Sequence, residues 1–522
     1  MSATTIALDE QAFHNILRNF REVCYIVEDN HTGAFTLANH QFQPNEQYQI
    51  VARLPGIYPE WLGGDDFCQV HGCRFPYIVG EMANGIATAD MVIAAVKAGF
   101  IGFFGAAGLV PDVVEKNILK IRSQLNGETT AWGSNLIHSP NEPSIEEGIV
   151  NLYINQHVDR VSASAYMNLS PHVVYYAAKG LHINANNQIQ RKHWVLAKIS
   201  RPEVAEHFMR PPPESMLQKL LAEGKLTPTE VELAAKIPVA EDLTVEADSG
   251  GHTDNRPMTA LYPTIKELAI KIQKEYGFSN LFRIGVGGGI GTPSAVAAAF
   301  TLGADYILTG TINQAAVESG LAPIGREMLA KADIADVIMA PAADMFELGV
   351  KLQVLKRGTL FATRAQKLYE LYSNYRSMAE IPAKEREKIE RDLFRQPLEK
   401  VWETTKEYFK ARDPKQVEKA EVDQHYRMAL VFRWYLGFSS RWAIVGEEDR
   451  KIDYQIWCGP AMGAFNRWVT GSFLEALGNR TVEQIGKNLL EGAAYINRIQ
   501  AIKNMGIHVP SWMYHFEPIL LN

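Results

Sequence analysis

"LFRIGVGGGIGTPSAVAAAFTLGADYILTG", residues 281–310, decides the fold. Two β-rich runs, 281–286 and 305–310, enclose one Ala-rich stretch. Thr292 stands where a helix N-cap belongs, Pro293 at the first helical position and Gly303 at the stop. That is one strand–helix–strand unit of a parallel sheet. The motif "IATADMVIAAVKAGF" repeats its punctuation, with Thr88 opening and Gly99 closing. Working outward, further strand candidates fall at 77–81, 100–104, 131–136, 159–164, 194–199 and 242–247. Eight alternating units in roughly 245 residues match a (β/α)8 TIM barrel. A doubly wound open sheet is the structural rival.

The domain expectation follows. Residues 1–75 form an N-terminal segment, 76–320 the barrel, and 321–522 a helical C-terminal region. A helical insertion after strand five, 207–242, opens on three prolines and reads as an excursion over the barrel mouth. In 383–414, Glu387 and Arg391 have the i,i+4 spacing of a helical ion pair. The stretches 433–443 and 453–477 are rich in aromatics and glycine. They read either as helical core or as the apolar wall of a site.

Composition excludes several classes. The chain has 522 residues, 47% hydrophobic and 21% charged, with a net charge of -7. That charge argues against a sequence-independent nucleic-acid binder, which needs a cationic face. The apolar run 98–110 is too short for a bilayer, which needs about 20 residues. Early Asp9 and Glu10 argue against a signal peptide, so a cytoplasmic protein without a membrane partner is expected. Four cysteines do not make a disulfide framework in a chain this long. "CQVHGC" (68–73) offers Cys68, His71 and Cys73, but the spacing is not that of a zinc site. Reduced, partly buried thiols are the expectation, with no metal.

Barrel chemistry sits at the C-terminal ends of the strands, with phosphate at the loops after strands seven and eight. Gly287, Gly288 and Gly289 directly precede the capped helix, where backbone N–H groups and the helix terminus favour an anion. After strand eight, Gly310 and Thr311 add an N–H and a hydroxyl. The run lacks the last glycine of a dinucleotide fingerprint, which would fall on Ile290. Other strand ends suit a flat heteroaromatic ligand: Met82 and Ala83 in "GEMANG", Asn135 in "GSN", Ser162 in "SAS", and Lys198 closing strand five. A lysine there could stabilise charge on a reduced isoalloxazine.

The stretch "EADSGGHTDNRP" (246–257) places Gly250, Gly251 and His252 at the end of strand six. Two residues without side chains let the backbone pass close to a flat ligand, and His252 then projects toward its exposed face. Glu246 and Asp248 lie beside it, and the sequence leaves open which of them faces inward.

These residues carry a resemblance. "GEMANGIATADMVIAAVKAGFIGFFGAAG", "EADSGGHT" and "GVGGGIGTPSAVAAAFTLGADYILTGT" resemble the FMN-dependent barrels of nitronate monooxygenases and FabK-type enoyl reductases, marked by a G-G-H after strand six. "RWYLGFSSRWA" and "DYQIWCGPAMGAFNRWV" resemble a narrower branch, the PfaD-type trans-acting enoyl reductases of polyunsaturated fatty acid and polyketide synthases. The resemblance implies FMN phosphate on Gly288, Gly289, Gly310 and Thr311, and the ring near Met82, Ala83, Asn135 and Gly251. It implies NADPH or NADH as hydride donor and an enoyl thioester on an acyl carrier protein, beside synthase modules. A homodimer is compatible with it. His252 would donate to the enolate oxygen or protonate the α carbon. Asp254 stands where shorter relatives carry glycine, which leaves the turn open. A nitronate monooxygenase-like oxidase and a non-catalytic docking scaffold are the alternative readings.

Overall fold

The computed structural model describes residues 6–127, 131–140 and 142–521. Its centre is a closed, all-parallel barrel of eight strands. They are β1 (Tyr77–Val79), β2 (Ile101–Phe104), β3 (Trp132–Ile137), β4 (Arg160–Ser164), β5 (Trp194–Ile199), β6 (Asp242–Glu246), β7 (Arg283–Gly287) and β8 (Ile307–Thr309). The register Ile307↔Tyr77 through Thr309↔Val79 joins β8 to β1 and closes the ring. Every strand expected from the sequence is present. The punctuation holds as well. Thr88 accepts from the Met91 N–H and Thr292 from the Ala295 N–H, while Gly99 and Gly303 take φ of 86° and 94°.

The N-terminal end of the barrel is plugged. The short helix Asp65–His71 inserts Phe67 beneath the strands, where it stacks on Tyr306 at 4.2 Å. Arg160 Nε donates to His71 Nδ1 at 2.9 Å, and His71 Nε2 lies 3.2 Å from Asp242 Oδ1. Arg283 donates twice to Asp242, at 2.6 and 2.8 Å. Arg160, Asp242 and Arg283 open β4, β6 and β7, so this buried polar cluster seals one end and leaves the opposite end for a ligand. His71 is committed to it, and among the described residues no group of three His, Cys, Asp or Glu side chains could hold a metal.

Residues 321–522 divide more finely than one helical region. Helix Val482–Asn504 returns to the barrel and packs between the helix after β7 (Pro293–Thr301) and β1. Two glycines permit the approach. A Cβ on Gly486 would meet Phe100 at 2.6 Å and Tyr77 at 3.1 Å, and one on Gly492 would meet Pro293 at 2.6 Å. This helix therefore takes the eighth place in the outer ring. Between β8 and that helix lies an excursion with its own core, including Phe361, Leu368, Phe394, Trp402, Phe432 and Tyr435. Arg391 in this excursion pairs with Asp392 and not with Glu387, because the helix ends at Ile389 and continues as a π turn.

The 207–242 insertion also lies elsewhere than expected. It leaves the C-terminal end of helix Pro202–Met209 and feeds the start of β6, so it sits at the sealed end. Its helices Glu214–Ala222 and Pro228–Ala234 bury Leu217, Leu220 and Val231 against Val174 and Ala178 of the helix after β4. It covers a flank and not the mouth. The N-terminal segment forms a three-stranded antiparallel sheet and ties to the returning helix through Arg498, which donates to Cys24 Sγ and the Phe20 carbonyl. No helix among the described residues is long and apolar enough to cross a membrane.

Candidate active site

The exits of β7 and β8 form the anion-ready corner. Gly288 has φ 87°, and a Cβ there would sit 2.8 Å from the Ala247 carbonyl carbon, so only glycine lets this loop pass the end of β6. Gly289 has φ 72° and faces open space, with nothing within 4 Å of where its Cβ would stand. No backbone carbonyl among the described residues accepts from the N–H of Gly289 or Thr311. Gly287 lies in register with Leu308, which sets the two loops side by side. Gly310 is open except toward Met82, whose Sδ would be 3.7 Å from an added Cβ. The Thr311 hydroxyl accepts from the Gly459 N–H at 3.4 Å, a tie the sequence did not show.

Around the rest of the mouth, Met82 is buried and Ala83 half-buried beside Asn84, which takes φ 56°. Asn135 spends both amide hydrogens on β4, donating to the Ser162 carbonyl at 3.1 Å and to Ser164 Oγ at 2.8 Å. Any ligand it meets must therefore use its carbonyl oxygen. Ser162 is buried, so Ser164 is the more accessible hydroxyl of that strand end.

Lys198 is held in a three-charge group. Its Nζ lies 3.0 Å from Glu81 Oε1 and 3.1 Å from Glu246 Oε1. Burial disfavours its charge, but the two carboxylates outweigh burial and keep its pKa above the ordinary lysine value. Both contacts of the ammonium are carboxylates, so they set its position at the β5 exit. Glu246 is thus the inward-facing carboxylate. Asp248 turns away and accepts from Gln353 Nε2 at 2.7 Å and Asn255 Nδ2 at 2.9 Å.

The histidine turn is built from both parts of the chain. Gly251 and His252 form a short strand that pairs antiparallel with Gln353 and Leu352. Gly251 takes φ 85° with open space over its missing side chain. Gly250 serves another purpose, since a Cβ there would meet the Cys458 backbone at 2.8–3.0 Å. Its smallness admits the 458–459 segment, not a ligand. His252 Nε2 is 3.2 Å from Asp344 Oδ1, and the imidazole retains 31% of its side-chain exposure. Burial pushes its pKa down, yet the Asp344 carboxylate outweighs burial and holds it above the ordinary value. Asp254 pins this turn to the β5 exit, accepting from Ser200 Oγ at 2.7 Å and from Arg201 Nε and NH2 at 2.8 Å each.

The excursion reaches the opposite rim too. Arg412 Nε donates to Glu142 Oε1 at 2.8 Å, beyond the end of β3. Trp457 packs against both the barrel core and the helical core. Its carbonyl accepts from Gln314 at 2.5 Å. Asp344, Gln353 and Arg412 were beyond reach of sequence reading, because each meets its partner across 92 residues or more.

Known proteins are similar to this chain. The enoyl reductase domain of MlnA, from the macrolactin biosynthesis cluster of Bacillus amyloliquefaciens, is 37% identical with a TM-score of 0.81. The match covers 85% of this chain and 99% of that one. The chain belongs to the family of that enoyl reductase domain. It is also 46% identical over 450 residues to a polyunsaturated fatty acid synthase polypeptide of Thraustochytrium sp. and 45% identical over 451 residues to the polyketide biosynthesis protein PksE of Bacillus subtilis. These matches cover 85% and 86% of this chain but span only 30% and 58% of those relatives. Residues 375–454 match the inserted helical domain of [acyl-carrier-protein] S-malonyltransferase. That stretch lies within the excursion between β8 and the returning helix, and the residues that hold the histidine turn, Asp344, Leu352, Gln353 and Cys458, flank it on both sides.

Proposed function

We propose that this protein is an FMN-dependent enoyl reductase acting in trans on enoyl thioesters carried by an acyl carrier protein, with NADPH or NADH as hydride donor. The observation that carries this reading is the side-by-side placement of two features on one barrel mouth. The open glycine loops follow β7 and β8, and an imidazole held by a carboxylate follows the neighbouring β6.

The residues present fit FMN. Gly289 and Thr311 offer N–H groups that no backbone carbonyl among the described residues takes, and Gly289 leaves the room that a phosphate needs. When bound, FMN supplies hydride taken from the nicotinamide. The chain's own residues do the rest. Gly287–Gly289, Gly310 and Thr311 hold the phosphate end; Met82, Ala83, Asn135, Ser162 and Gly251 border the ring's place. Glu81 and Glu246 fix Lys198 at the rim. Hydride addition at the β carbon leaves negative charge on the thioester oxygen and requires a proton at the α carbon. His252, partly exposed and paired with Asp344, which favours its protonated form, is suited to that demand.

The acyl carrier protein as partner is supported by the family description matched on 375–454 and by the synthase relatives. The test uses purified, FMN-loaded protein with each nicotinamide and crotonyl thioester on an acyl carrier protein. Nicotinamide oxidation that depends on the thioester, with butyryl product by mass, is expected. Oxidation without reduced product would overturn the reading in favour of an oxidase, and no oxidation would favour a docking scaffold.

A further inference from the structure

Asp344 lies in the turn between the strands Val337–Pro341 and Lys351–Leu355, 92 residues beyond His252. The second of these strands holds the histidine turn at several points. Its backbone pairs with Gly251 and His252, and Gln353 Nε2 donates to Asp248 Oδ1 and to the Ser249 carbonyl at 2.8 Å. Gln353 Oε1 accepts from Asn255 Nδ2 at 3.1 Å. The turn is thereby immobilised by residues that belong to no barrel strand or barrel helix. On that support the imidazole gives its Nε2 to Asp344, and only Nδ1 is left for anything in the mouth.

We propose that Asp344 is the positioning residue for His252, fixing the ring through Nε2 and reserving Nδ1 as the nitrogen that serves the substrate. This rests on the enoyl reductase reading. The inserted region then completes the acid, much as a carboxylate fixes the tautomer and orientation of a histidine elsewhere. The step balances. The hydride, which bound flavin would supply from the nicotinamide, forms the Cβ–H bond, and the C=C electron pair moves onto the thioester enolate. As the enolate takes the Nδ1 proton, Cα–H forms, N–H breaks, and neutral imidazole is recharged from water.

The charged groups facing His252 are Asp344 and Glu246, which favour imidazolium, and Lys198, which opposes it along with burial. Asp344 is in turn faced by His252 and Arg433, and Arg433 also pairs with Glu347. Removing only the Asp344 charge should therefore make His252 easier to deprotonate. Because the acid is the protonated form, the rate of thioester reduction should begin to fall at a lower pH.

The experiment compares wild type, Asp344→Asn, Asp344→Glu and His252→Ala as FMN-loaded full chains, pre-reduced with nicotinamide and mixed with crotonyl thioester across pH. Asp344 is half-exposed at 49%, and asparagine is isosteric, so folding is expected to survive. In Asp344→Asn the falling limb should move to lower pH by about one unit, the low end of a neighbouring-charge effect. Asp344→Glu should restore the limb, and reduction of the protein by nicotinamide should not change. A second readout is the His252 ring titration by NMR, which should shift the same way. An unchanged limb in Asp344→Asn, with His252→Ala slowed, overturns the role of Asp344 alone. An unchanged rate in His252→Ala overturns the reading on which it rests.

Discussion

A Cβ on Gly250 would stand 2.8 Å from the Cys458 nitrogen, so the histidine turn and the 458–459 segment cross with no space between them. The contact is reciprocal, since a Cβ on Gly459 would stand 2.8 Å from the Gly250 nitrogen. Both neighbours are backbone and cannot step aside as a side-chain tip would. Gly250→Ala should therefore cost ~1–3 kcal/mol, the range for overpacking, and slow thioester reduction by displacing His252. Thermal melting and half-reaction rates check this. An alanine variant with wild-type values for both would show that the crossing is slack.

How much of this was legible follows from the range of each interaction. The strands were legible because a β-rich run followed by a capped, Ala-rich helix is a local pattern; "GTPSAVAAAFTLG" needs nothing beyond itself. The glycine loops were legible for the same reason. The eighth ring helix was not, because Val482–Asn504 is separated from β8 by the whole inserted unit, and no local signal says that Gly486 packs on Tyr77. Local sequence suggests that Gly250 makes room for a ligand, and in the fold it makes room for Cys458. The helical insertion after β5 was visible in its three prolines. Its side of the barrel was settled by direction of travel, since a segment leaving a ring helix emerges at the sealed end.

Gly289→Asp should abolish flavin retention. The position takes φ 72°, which aspartate tolerates better than most residues. Nothing within 4 Å obstructs the new side chain, so the fold should persist. The carboxylate would then occupy the place proposed for phosphate. Far-UV circular dichroism unchanged from wild type, together with colourless protein, is the expected pair of results. Full flavin content in the folded variant would remove Gly289 from the phosphate site.

Trp457→Ala separates the two accounts of the aromatic segment. The indole touches both cores, so its loss should cost ~2 kcal/mol, below the ~3–5 kcal/mol of a fully buried aromatic. The inserted unit should loosen against the barrel while the glycine loops stay intact. Flavin content near wild type with a raised KM for carrier-bound thioester is expected. Unchanged stability and unchanged KM would show that Trp457 does not bind the two units together.

The sealed end of the barrel sets an acid limit on stability. Burial holds His71 below its ordinary pKa, so as pH falls below about 6.5 the unfolded chain binds the extra proton and stability drops. For Asp242 and Glu241, burial pushes upward, but Arg283 on the first and Arg191 with Arg283 on the second outweigh it and hold both below the carboxylate range. Their contribution is present above about pH 4 and is lost below it. The melting temperature should fall in two stages on acidification. His71→Gln should flatten the first stage and leave the second. Identical slopes between pH 7 and 5 in both proteins would dismiss His71 as the titrating group.

His252→Ala tests the chemistry most directly, because the two half-reactions make different demands on this side chain. Passing hydride from nicotinamide to the cofactor needs no group on the acyl side. Enoyl reduction must both stabilise an enolate and protonate it. The variant should keep its flavin, since the contacts proposed for phosphate come from the β7 and β8 loops and not from the β6 turn. It should still be bleached by nicotinamide at the wild-type rate. Reoxidation by crotonyl thioester should slow roughly 10²–10³-fold, as expected when one placed donor or acid is removed. Anaerobic rapid mixing measures both steps in one preparation. Loss of flavin would make His252 a cofactor contact, and an unslowed reoxidation would move the proton-donor role to another residue, with Lys198 or its partner carboxylate Glu246 at the end of β6 the next candidates.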